Sequence, residues 1–115
     1  MNDMVYALNV FNFADGGESA YKRYAVQAGR LLQRVGGSVA VAGHRPLQMI
    51  EGDRIRECFM IVQFPDAQAF AAFLALVEAE DMHQTRHGAT RDYLWTLYES
   101  WNLAAWVNER MAGET

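Results

Sequence analysis

Apolar and polar positions change rhythm along this chain, and each change marks an element. From Val5 to Phe13 the period is two. Tyr6, Leu8 and Val10 fall on one face; Val5, Ala7, Phe11 and Phe13 fall on the other, with Asn9 among them. Neither face is polar, which predicts a strand covered on both sides. After a turn at Asp15-Gly16-Gly17 the period lengthens. Tyr21, Tyr24, Ala25, Ala28, Leu31, Leu32 and Val35 form a stripe at i, i+3, i+4, i+7 spacing, predicting a helix from Glu18 to Val35. Gly36-Gly37 stops it. Ser38 to His44, small and β-branched, reads as a second strand, and Pro46 places its continuation from Leu47 to Ile50 on a sheet edge. Glu51-Gly52-Asp53 turns the chain into Glu57–Phe64, which is apolar on both faces except at Gln63.

The second half repeats the alternation. Asp66 is suited to cap a helix whose stripe is Phe70, Phe73, Leu74 and Val77 and whose remainder is largely alanine. So little charge implies packing on more than one side, or close to another backbone. The polar segment Glu80–Thr90 is expected as a short helix or ordered loop. Asp92–Glu99 is a fourth strand, rich in aromatics. Asn102–Met111 suits a short amphipathic helix with Trp106, Val107 and Met111 on one side, and Ala112 to Thr115 should fray. The order is β-α-β-β-α-β plus an extension, an α+β domain of ferredoxin-like type over residues 1–99, with 100–115 as its helical extension. Helices in that arrangement cover one face of the four-stranded antiparallel sheet. Two strands apolar on both faces therefore need a second cover, which another sheet supplies: a dimeric α/β barrel.

Composition supports a partner. Hydrophobic residues make up 51% of 115 residues, more than a small interior hides, so the chain is expected to pair with a copy of itself, as a homodimer or a higher oligomer. A net charge of −4 argues against nucleic acid or an anionic membrane as partner. Cys58 is the single cysteine, so no intrachain disulfide forms. With no secretory pattern at the N-terminus and no run near the roughly 20 apolar residues of a membrane span, a cytoplasmic location is expected.

Several of these residues, in this order, resemble the dimeric α/β-barrel proteins and, within them, the bacterial domain-of-unknown-function family 1330. They are the Asn9 strand, Tyr21-x-x-Tyr24, Gly36-Gly37, Glu51-Gly52, the run Ile61-Val62-Gln63-Phe64-Pro65-Asp66, and Arg86 with Ala89 before the last strand. The resemblance spans about Val5 to Glu99 and implies a homodimer with a small cavity. Gln63 and Cys58 depart from it, standing where the family commonly has Glu and Arg, so an acid–base role at position 63 is not carried over. Trp101 to Thr115 is an addition. The resemblance implies no single reaction, since the wider superfamily spans monooxygenases, isomerases and haem enzymes; related monooxygenases hydroxylate aromatic compounds without a cofactor.

Candidate chemistry is sparse. His83 and His87 are four apart, with Glu80 a turn earlier; on a helix they share a face that suits a divalent metal, a haem or a base beside a substrate, or simply a solvated polar surface. Arg86 suits a clamp on a substrate carboxylate, or a salt bridge to Glu80, Asp81 or Asp92. Asn9 and Gln63 interrupt two central strands. They either orient a ligand or bond to each other or across the dimer. His44, at a strand end, is a candidate base or an exposed residue. Tyr21, Tyr24, Tyr93, Trp95 and Tyr98 are core aromatics, some of which can line a pocket. Cys58 reads as inert packing. The catalytic candidates are thus His44, His83, Arg86 and His87, and the ligand-binding candidates Asn9, Tyr24, Gln63, Arg86 and Trp95. No motif calls for a cofactor. Three functions stay open: a binding protein or cofactor-independent enzyme for a small apolar or carboxylated molecule, a non-catalytic dimeric module, and a metal or haem site at His83/His87.

Overall fold

In the computed structural model, which describes residues 3–113 and side chains as far as Glu109, the predicted alternation is realised. Strands β1 (Val5–Phe13), β2 (Ser38–His44), β3 (Cys58–Phe64) and β4 (Thr90–Glu99) form one antiparallel sheet in the order β2-β3-β1-β4. Helices α1 (Glu18–Arg34), α2 (Ala67–Ala79) and α3 (His83–Ala89) connect them, and α4 (Leu103–Gly113) follows. This is the ferredoxin-like α+β fold.

Local chemistry sets the boundaries. Asp66 accepts a 2.8 Å hydrogen bond from the Ala69 N–H and so caps α2. Gly36, at φ +79°, lets the Gly37 and Gly36 N–H groups reach back to the carbonyls of Leu32 and Gln33, closing α1. Register then sorts the two faces. Val5 pairs with Phe64, Ala7 with Val62 and Phe11 with Cys58, so all six point to the helices and form the core with Leu31, Leu32, Phe73 and Val77. The alternate residues make the other face, where Val41, Phe59, Leu94 and Tyr98 are exposed.

Two expectations are corrected. Leu47–Ile50 forms no strand: Arg45 takes φ +61° after β2, and Arg45 to Glu57 is a loop with Leu47 fully exposed. Strand β4 starts at Thr90, two residues before the predicted start, because it carries a bulge. Val10 faces Leu94 but Asn12 faces Arg91, and Asp92 absorbs the extra residue at φ +53°. Asn12 Nδ2 donates to the Asp92 carboxylate (3.2 Å) and Arg56 Nε to its carbonyl (3.1 Å), which holds that backbone in place. The described side chains of α4 are all exposed in the single chain, and Trp101 and Trp106 meet edge to face at 5.3 Å. Ala112 and Gly113 of the expected frayed tail continue α4, and the Met111 side chain, Glu114 and Thr115 lie outside the described residues. The molecule measures 56 × 35 × 16 Å. Among the described residues no helix is long and apolar enough to cross a membrane.

Candidate functional site

Small side chains on α1 leave room against the sheet. Below the buried Tyr21 and Tyr24, the helix presents Ala25, Ala28 and Gly29. Opposite stand Asn9 of β1, Met60 and Val62 of β3, and Tyr93 and Trp95 of β4, and a cavity of about 120 Å³ lies between. The start of α1 is held down by backbone contact with the end of α3. Ala14 N–H donates to the Ala89 carbonyl (2.9 Å), and at Gly17 any Cβ would run into that same carbonyl.

Apart from its apolar walls, the site is built on one amide and three phenols. Asn9 is 5% exposed. Its Nδ2 donates to the Ala7 carbonyl at 3.2 Å, and its Oδ1 accepts a 2.6 Å bond from the Tyr93 hydroxyl. Tyr93 stacks on Phe11 with ring centroids 5.0 Å apart, and Tyr21 lies against Phe11 and Tyr24. Burial pushes all three phenols above the ordinary tyrosine pKa; Tyr93 adds to the rise at Tyr21, while the Arg86 charge works against it at Tyr24 and Tyr93. At neutral pH they are hydrogen-bond donors, not bases.

Arg86 stands just behind this wall. It is buried, with its guanidinium 4.7 Å from the centre of the Tyr93 ring and 5.0 Å from that of Trp95. One Nη2 lies 3.2 Å from His83 Nδ1. A guanidinium only donates, so Nδ1 accepts and the neutral imidazole carries its proton on Nε2. The expected salt bridge to Glu80, Asp81 or Asp92 is not formed: among the described residues no carboxylate meets Arg86, and the Asp92 carboxylate takes Asn12 instead. Among the described residues Arg86 Nε and Trp95 Nε1 are buried without an acceptor.

Of the candidates, Asn9, Tyr24 and Trp95 come together around the cavity, with Arg86 beside them. Gln63 does not. It pairs with Tyr6 and Ser38 on the opposite sheet face, where it donates to Ser38 Oγ (3.1 Å), so the proposed Asn9–Gln63 bond within one chain is excluded by register. His44 is exposed at the end of β2, edge-on to Phe13 and outside the cavity. His87 is exposed, His83 is occupied by Arg86, and among the described residues no three His, Cys, Asp or Glu side chains cluster to hold a metal. Cys58 is buried and its thiol pKa is raised by burial, then by Glu57 and Glu18, which suits packing rather than reactivity. Sequence reasoning grouped Tyr21 and Tyr93 with the core without assigning them to the site. The period-two step from Trp95 to Tyr93 is the signal that places Tyr93 there.

Residues 5–98 match the model of a family described as a domain of unknown function, DUF1330. The chain belongs to that family. No functionally curated protein matches it. Among solved structures, a protein of unknown function from Rhodopseudomonas palustris superposes with a TM-score of 0.74 at 20% identity, over 89% of this DUF1330 chain and 85% of the other. SnoaB, a cofactor-independent oxygenase from Streptomyces nogalater, gives 0.56 at 18% identity over 87% and 95%. A dimeric protein of unknown function and ferredoxin-like fold from Bacteroides fragilis gives 0.53 at 12% over 85% and 97%. At these identities the likeness concerns the fold.

Proposed function

We propose that this DUF1330 protein is a homodimer that binds a small, mostly apolar molecule in the cavity between α1 and the sheet and transforms it without a cofactor. The observation that carries this is the cavity itself: apolar walls converging on a buried amide and phenols held in the donor state. Oxygenation and isomerisation of an activated ring or carbonyl compound both pass through an anion centred on the substrate's own oxygen. A fixed neutral donor in an apolar pocket, here the phenol of Tyr24 with Asn9, Tyr21 and Tyr93 bonded behind it, stabilises such an oxygen as charge develops. The fold shared with a cofactor-independent oxygenase is in keeping with that chemistry. Dimerisation through the open sheet face would bury Val41, Phe59, Leu94 and Tyr98, with residues 100–115 as a helical extension of the same domain.

Calorimetric titration of the purified protein with toluene and p-cresol tests the site. Both should bind, p-cresol more tightly, and Ala28→Phe, which fills the cavity, should abolish both. Unchanged binding by that variant would move the site elsewhere. One observation favours a purely structural role for Asn9: the strand and Tyr93 already use both ends of its amide. If wild type binds neither probe, the non-catalytic module is the better description.

A further inference from the structure

Arg86 is a buried cation that meets no anion among the described residues. It is 7% exposed, and its contacts are a neutral imidazole nitrogen, the hydroxyl of Tyr93 and the faces of two rings. A desolvated charge is strongly disfavoured unless it is paired, and ring faces return only part of what water gave. Beside it two donors are left over. Arg86 Nε and Trp95 Nε1 are both fully buried without a protein acceptor, and neither atom can accept from the other. Arg86 does not itself line the cavity, but Trp95 does, and the guanidinium carbon lies 5.0 Å from the Trp95 ring centre. What this corner lacks is an acceptor with negative charge.

We infer that the ligand of the cavity is a monocarboxylate, with its carboxylate seated at the Trp95 end to accept from Trp95 Nε1 and pair with Arg86. The inference rests on the cavity being the binding site. Volume limits the rest of the molecule. An apolar protein cavity of about 150 Å³ takes up benzene, so a cavity of about 120 Å³ limits the enclosed part of the ligand to at most a single ring or a branched chain of similar size. A second charge would sit among Met60, Val62 and Phe64, which excludes dicarboxylates. The Tyr93 proton is held by Asn9 and Tyr21 is hydrogen-bonded to Tyr93, so the neutral phenol of Tyr24 is the one that remains to hold a hydroxyl or carbonyl elsewhere on the ring.

Calorimetric titration of the full chain with benzoate, benzyl alcohol and toluene at pH 7 separates this inference from the one beneath it. Benzoate should bind about tenfold or more tighter than benzyl alcohol, the gain expected of a charge-assisted pair. Arg86→Gln should erase that advantage while leaving toluene affinity within about twofold, since it removes the charge and not the apolar walls. Trp95→Phe keeps an aromatic ring and removes Nε1 together with part of the indole wall. It should weaken benzoate by about three- to tenfold and toluene by a smaller factor. Toluene binding with no preference for benzoate would overturn the carboxylate and leave the cavity as the site; no binding of any of the three would overturn both. If Arg86→Gln does not fold, Trp95→Phe decides alone: equal losses for benzoate and toluene would reject the inference.

Discussion

The hydroxyl of Tyr93 and the amide of Asn9 form a pair that neither residue's neighbourhood replaces. Tyr93→Phe keeps the ring stacked on Phe11 and leaves Asn9 Oδ1 buried without its donor. The expected cost is about 1–3 kcal/mol, seen as a lower urea midpoint at unchanged slope. The buried phenols also set a pH dependence. Their folded pKa values lie above the ordinary value of 10.0, so the folded state holds protons that the unfolded chain gives up. Stability from this source is fully present below pH 10 and is lost as the pH rises beyond it. Urea midpoints measured from pH 8 to 11 should fall at the alkaline end, and less steeply in Tyr93→Phe. At this scale the sequence was half informative. Asn9 and Gln63 look equivalent as polar breaks in apolar strands, and only the register, Asn9 opposite Met60 and Tyr6 opposite Gln63, sends them to opposite faces.

Elements were legible wherever hydrophobic period and a stop signal agreed, as in α1 between its Gly-rich turns and α2 after Asp66. They were not legible where the backbone leaves the common regions. Nothing in the composition of the β2–β3 connection announces the φ of Arg45, and the β4 bulge depends on Asn12 and Arg56, distant in sequence from Asp92. Helix α1 also shows a choice between stability and space. A Cβ on Gly29 would meet no atom within 4 Å, because it would project into open space at the cavity wall. Gly29→Ala should therefore stabilise the protein by about 0.5–1 kcal/mol through helix propensity while weakening toluene binding. Thermal melts and titrations on the one variant read both. For α4, exposed along its described length, packing on a second copy is the expected use. Truncation after Glu99 should weaken self-association in sedimentation experiments, and an unchanged dimer constant would remove that role.

At the scale of the whole molecule, the helices cover one sheet face and leave Phe59, Leu94 and Tyr98 on the other open to solvent. Placing a charge there tests the homodimer directly: Phe59→Asp should sediment as a monomer at concentrations where the wild type is dimeric, with its helical circular dichroism retained. Two strands apolar on both faces pointed to the open sheet face, but how far the chain reaches outward was not legible in the sequence. The long axis is 56 Å and the radius of gyration 16.7 Å. A compact chain of this length would have about 13 Å, and a compact body of twice the length about 17 Å. If two copies fold their projections onto each other, scattering from the dimer will therefore show nearly the radius of one isolated chain. The forward intensity, which reports mass, is what will tell them apart.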